Sequence, residues 1–163
     1  MINAKDSKDT FYILNKKENA PIVLIHGVGL NHKIWEPQIN SFKNTVLAYD
    51  ILGHGNTPLT KPQISFDDFS LQLLNLIDEL KFEKIHLVGF SIGSLIARNF
   101  ASKYNGRLES LALIIYLFWF NTHFFHILIS ITSSCMRSST RSSANSNYYF
   151  IIKWSVMNSK FMS

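Results

Sequence analysis

A chain of 163 residues, 47% hydrophobic and 17% charged, is ordinary for a globular protein and long enough for one domain with a real core. Its formal charge of +5 is uneven: residues 1–109 hold 12 Lys+Arg against 11 Asp+Glu, whereas residues 110–163 hold Arg137, Arg141, Lys153 and Lys160 and no acid. Four scattered cations do not make a phosphate-binding surface, so no nucleic-acid partner is expected, and the single cysteine, Cys135, excludes an intramolecular disulfide.

The first ten residues are polar, with Lys5, Asp6, Lys8 and Asp9, and lack the apolar core of a signal peptide. With one cysteine, the expected location is the cytoplasm. Residues 21–26 (PIVLIH) form a strand-length apolar run that stops at Gly27, and residues 45–49 (TVLAY) form another that stops at Asp50. Residues 67–80 place Phe69, Leu73, Leu76, Ile77 and Leu80 on one helical face, with Ser65 as N-cap and Asp67 and Asp68 at the positive end of the dipole. A third run follows at 85–90 (IHLVGF) and a second helical pattern at 92–104, closed by Asn105-Gly106. Residues 108–114 (LESLALI) form the fourth run. Strands that are apolar on both faces and alternate with helices predict an α/β fold with a doubly wound parallel sheet.

That pattern ends near Ile114. Residues 116–163 contain eleven serines and no Gly, Pro, Asp or Glu. The window 111–132 has 16 apolar residues in 22 and no formal charge, long enough to cross a bilayer. However, Asn121, Thr122, His123, His126 and Ser130 interrupt it, and unpaired polar groups are costly in lipid, so a membrane span is not expected.

Three motifs stand at the carboxyl ends of apolar runs, where α/β sheets bind ligands. Gly89-Phe90-Ser91-Ile92-Gly93 follows a strand and opens a helix. In this G-x-S-x-G pattern the serine occupies a sharp turn, and the flanking glycines remove side chains that would clash there. Ser91 is the candidate nucleophile, and the helix N-terminus behind it suits developing negative charge. His26-Gly27-Val28-Gly29 reads either as a simple turn or as an oxyanion loop, in which the backbone N–H groups of Val28 and Ile92 would bind the oxyanion. The stretch from Asp50 to Thr57 (DILGHGNT) is Gly-rich but lacks the Lys-Ser/Thr of a phosphate loop. It reads as a tight loop pinned by Asp50, with His54 bracing it.

The trio HGVG, YDILGHGNT and VGFSIGS, in this order, resembles the α/β-hydrolase fold family. The likeness is strongest to enol-lactonases, C–C bond hydrolases and small carboxylesterases; Trp35 and Gln38 (HKIWEPQI) fit it as well. It covers residues 20–114, the N-terminal part of such a domain. The resemblance implies a Ser–His–acid triad, no cofactor or metal, and a small ester, lactone or ketone as substrate. A serine at position 91 sets the chain apart from haloalkane dehalogenases and epoxide hydrolases, which use aspartate there.

The chain departs from that family after its nucleophile. The triad order is Ser, acid, His, yet the only later acid is Glu109, inside a predicted strand, and the only later histidines are His123 and His126. These residues are not expected to complete a triad, and loss of any member forfeits most of the rate. We therefore expect residues 1–114 to be the front portion of a hydrolase domain and residues 115–163 an atypical tail. Its composition suggests truncation or a frameshift near residue 114. The leading expectation is an impaired serine hydrolase. The alternatives are a non-catalytic binding remnant and, more weakly, a membrane-tethered fragment.

Overall fold

The computed structural model describes residues 1–116 and 147–153. It opens with strands β1 (Ile2–Lys5), β2 (Phe11–Asn15) and β3 (Asn19–Ile25). A 3-10 turn (His32–Trp35) then runs into helix α1 (Glu36–Ser41), followed by strand β4 (Asn44–Tyr49) and helix α2 (Phe66–Glu79). Strand β5 (Ile85–Phe90) leads directly into helix α3 (Ile92–Tyr104). A second 3-10 turn (Asn105–Arg107), strand β6 (Leu108–Tyr116) and strand β7 (Asn147–Lys153) complete the described elements.

The strands pair into one sheet in the order β1-β2-β4-β3-β5-β6-β7. From β4 through β7 all neighbours are parallel, and for β4, β3, β5 and β6 this is what the alternating strand and helix patterns predict. Two features lie outside that expectation. The residues ahead of β3 form an antiparallel hairpin that joins β1, in the polar opening, to the largely buried β2, which pairs antiparallel with β4. The tail supplies β7 as a parallel edge strand, although its composition suggests no regular element. The remaining tail, including His123, His126 and most of the apolar window 111–132, lies outside the described residues. Among the described residues no helix is long and apolar enough to cross a membrane.

Alternation along each strand sorts its side chains into two cores. Val23, Ile25, Leu47, Tyr49 and Leu87 face α2 and α3, packing with Leu73, Leu76, Ile77, Ile96 and Phe100. Leu24, Val46 and Ala48 point the other way and pack with Trp35 and Ile39 from the 3-10 turn and α1. Burial on both faces explains why the central strands read as unbroken apolar runs.

Helix α2 begins at Ser65, the expected N-cap, and the structure adds a reciprocal bond that completes a capping box. The Ser65 hydroxyl accepts from the Asp68 N–H, and the Asp68 carboxylate accepts from the Ser65 N–H at 2.8 Å. Lys61 beside Asp68, together with these hydrogen bonds, holds that carboxyl well below the usual range.

The topology determines where a site can form. After β3 the chain moves outward to β4, then returns to place β5 on the opposite side of β3. The loops leaving β3 and β5 therefore diverge above two hydrogen-bonded strands, in register at Ile25 and Gly89. A crevice at the carboxyl ends of the strands follows from this reversal.

Candidate active site

Ser91 sits between the last residue of β5 and the first of α3, with φ 55° and ψ −120°. Non-glycine residues rarely adopt this backbone conformation, so the surrounding structure must hold it. The Ser91 N–H donates to the Ile114 carbonyl at 2.9 Å, and the Ser91 carbonyl accepts from the Ser94 N–H at 2.9 Å. The buried Ser94 hydroxyl donates to the Gly89 carbonyl at 2.7 Å and lies 3.1 Å from the Ile114 oxygen. The turn is thus clamped to both β5 and β6.

The flanking glycines are required by close approach. A Cβ on Gly89 would overlap the Gly93 carbonyl, and one on Gly93 would lie 2.6 Å from the Ile25 oxygen. Helix α3 consequently starts against the end of β3. Ile92 is its first residue, where backbone N–H groups have no intrahelical acceptor. Among the described residues, no side chain is hydrogen-bonded to the Ser91 hydroxyl.

The loop after β3 borders Ser91. A Cβ at Gly27 would fall 3.2 Å from the Ser91 Cβ. The Gly27 carbonyl accepts from the Leu30 N–H at 3.2 Å, closing a turn that leaves Val28 exposed. The structure therefore brings Ser91, Ile92 and the Gly27–Val28 peptide to one sheet edge.

Beneath these groups lies a buried polar cluster. The Asp50 carboxylate, fully buried at the end of β4, accepts from the His32 backbone N–H at 2.7 Å and from His32 Nδ1 at 2.8 Å. Its second oxygen accepts from the Asn56 N–H at 2.8 Å. Asp50 thus pins the loop 51–57, and Gly55 must lack a side chain because a Cβ there would overlap the carboxylate. His54 braces the same loop through Nδ1, 3.1 Å from the Leu52 carbonyl.

His26, also fully buried, stands between the two loops: Nδ1 is 2.8 Å from the Gly27 carbonyl, and Nε2 accepts from the Ile51 N–H at 3.1 Å. Burial pushes its pKa down, partly offset by the Gly27 carbonyl and Asp50. Sequence reasoning missed this side chain and the clamps made by Ser94 and His32. A His-Gly step signals a turn but not which groups the imidazole meets. Trp35, singled out with Gln38, is a core side chain beneath β3 and β4.

Glu109 is remote from this edge. It is exposed near the start of β6, 3.8 Å from Lys84. The neighbouring Leu108 pairs with Ile85, six residues before Ser91, or about 20 Å along a strand. Among the described residues no three His, Cys, Asp or Glu side chains form a metal-binding group.

Residues 20–128 match the model of the alpha/beta hydrolase fold family. Among curated proteins, the chain is 33% identical over 100 residues to 3-oxoadipate enol-lactonase 1 of Acinetobacter baylyi, covering 60% of this chain and 37% of the relative. It is 35% identical over 89 residues to the (E)-2-((N-methylformamido)methylene)succinate hydrolase of the same species, covering 53% and 34%. Its fold resembles the crystal structure of the enol-lactonase from Burkholderia xenovorans LB400, with a TM-score of 0.60 and 28% identity over 64% of this chain and 43% of that one. The chain spans about a third of the length of the curated relatives it matches.

Proposed function

This chain belongs to the alpha/beta hydrolase fold family, and on that premise we propose that Ser91 is an acyl-accepting nucleophile for a small carbonyl substrate. The Ser91 oxygen would add to the carbonyl of an ester, lactone or activated ketone, its proton passing to a base and then to the leaving group. The carbonyl π pair would move onto oxygen. Its return would break the C–O or C–C bond, expel the protonated alcohol or carbon acid and leave the acyl group on Ser91 for water to release. The Val28 and Ile92 N–H groups would stabilise the resulting oxyanion. The observation that carries this reading is the backbone of Ser91: a non-glycine residue at φ 55°, clamped at the start of a 13-residue helix and bordered by Gly27. Relatives named as an enol-lactonase and a succinate-derivative hydrolase support that substrate class. A single cysteine accords with a reducing, cytoplasmic setting.

A second reading, a binding unit without turnover, is favoured by the Ser91 hydroxyl, to which no side chain is hydrogen-bonded among the described residues, and by Glu109, exposed beside Lys84 at the far end of β6. A serine-directed fluorophosphonate probe separates the two. The nucleophile reading expects covalent labelling at Ser91, lost in Ser91→Ala, with p-nitrophenyl ester hydrolysis lost in parallel. A folded wild-type chain that takes no label supports the binding unit, and hydrolysis unchanged by Ser91→Ala rejects the assignment of the nucleophile.

A further inference from the structure

We propose that His26 is a positioning residue that sets the orientation of the Gly27–Val28 peptide and thereby aims the Val28 N–H at the oxygen developing on a substrate held at Ser91. The inference rests on the reading of Ser91 and Val28 given above.

The hydrogen bonds assign the ring tautomer. The Ile51 N–H can only donate, and it lies 3.1 Å from Nε2, so Nε2 is the unprotonated acceptor. In the neutral ring the proton is then on Nδ1, which donates to the Gly27 carbonyl at 2.8 Å. The Leu30 N–H donates to the same oxygen at 3.2 Å from the other side of the turn. Two donors thus fix the direction of one carbonyl.

Peptide planarity does the rest. In a trans peptide the carbonyl of one residue and the N–H of the next point in opposite directions. There are no cis peptide bonds among the described residues. Drawing the Gly27 oxygen toward the ring therefore turns the Val28 N–H away from it. The same peptide lies beside the nucleophile, because a Cβ on Gly27 would meet the Ser91 Cβ at 3.2 Å.

The surroundings hold the ring in this state. Its side chain is fully buried, with Nε2 3.9 Å from the Asp50 carboxylate. The His54 ring lies 5.5 Å away, and His32 is bound to the same carboxylate oxygen. A second proton on Nε2 would point at the Ile51 N–H and break that bond. An apolar side chain of equal volume would fill the space but leave the Gly27–Val28 peptide without its ring donor.

Two variants divide the roles of the ring. In His26→Asn the amide nitrogen stands near the place of Nδ1 and can donate to the Gly27 carbonyl. In His26→Gln the amide reaches the place of Nε2 and serves Ile51 instead. Fluorophosphonate labelling of Ser91 should slow roughly tenfold or more in His26→Gln, short of the 10²–10³ lost with a whole oxyanion donor. His26→Asn should retain most of the wild-type rate. Equal labelling of wild type and His26→Gln, or an equal loss in both variants, overturns the proposal.

Two measurements do not depend on reactivity. The ¹⁵N spectrum of histidine-labelled wild-type chain should show the neutral, Nδ1-protonated ring for His26, and an Nε2-protonated ring overturns the proposal. The residual dipolar coupling of the Val28 N–H should change in His26→Gln and persist in His26→Asn; no change in His26→Gln also overturns it. If wild-type Ser91 takes no label, the nucleophile reading fails, and these two spectra decide the peptide-orienting role alone. If neither variant folds, the wild-type ring spectrum decides it.

Discussion

The carbonyl oxygen of His26 occupies the space in which Gly93 would carry a side chain. A Cβ on Gly93 would stand 2.7 Å from that oxygen and 2.6 Å from the Ile25 oxygen. Neither can retreat easily, because β3 is held between β4 and β5. Gly93→Ala should therefore lower stability by about 1–3 kcal/mol, the usual cost of forcing atoms into a packed interior. Gly106→Ala, with nothing within 4 Å of the added carbon, should stay within about 0.5 kcal/mol of wild type. Urea unfolding of the two variants checks the contrast.

The backbone at Ser91 makes a prediction of the opposite sign. Its φ of 55° and ψ of −120° cost a residue with a Cβ on the order of 1–3 kcal/mol, and glycine is free of that cost. Ser91→Gly should raise the urea midpoint by an amount worth about 1 kcal/mol, after glycine's greater freedom in the unfolded chain offsets part of the gain. The same change should abolish fluorophosphonate labelling. A lower midpoint would show that the turn stores no strain.

Burial of the His26 ring links stability to pH. Its folded-state pKa lies below the ordinary 6.5, so between those two values the unfolded chain binds a proton that the folded chain refuses. Stability should be fully present above 6.5 and fall as pH drops from there to the folded pKa. Melting temperatures in this window should decline more steeply for wild type than for His26→Asn, which has no proton to take up at that position. Parallel curves would remove His26 as the source of the decline.

Asp50 offers a test of the buried cluster. Three hydrogen bonds, from His32 N, His32 Nδ1 and Asn56 N, converge on its carboxylate. An amide has one acceptor oxygen, so Asp50→Asn must turn an NH₂ toward at least one of these donors. The expected loss is about 1–3 kcal/mol, the cost of a buried polar group left unsatisfied. Chemical denaturation measures it, and amide exchange should quicken at Asn56. Unchanged protection at Asn56 would contradict the pinning role.

What could be read in advance follows from how local the cause is. The turn at Ser91 was legible because its requirement, small residues two positions either side, is written within five residues. The start of α2 was legible for the same reason, since Ser65 and Asp68 satisfy each other across one helical turn. The hairpin of β1 and β2 was not, because Ile2–Lys5 is four residues long and mostly exposed, with only Ile2 and Ala4 to mark its inner face. The His26 bridge escaped as well. Its partner Ile51 is 25 residues away, and no periodicity states which ring nitrogen will meet an N–H. Glu109 could be placed in a strand, but its distance from the reactive edge needed the register of β5 against β6.

The clamp on Ser91 also orders events in time. Its N–H and the Ser94 hydroxyl both meet the carbonyl of Ile114, 23 residues further along than Ser91. On a ribosome the glycines and the nucleophile emerge well before that acceptor does. Until β6 has been synthesised through residue 114 and has docked beside β5, the strained turn lacks this anchor. A nascent chain arrested before that residue should carry the whole Gly-x-Ser-x-Gly signature while its serine backbone still samples relaxed conformations.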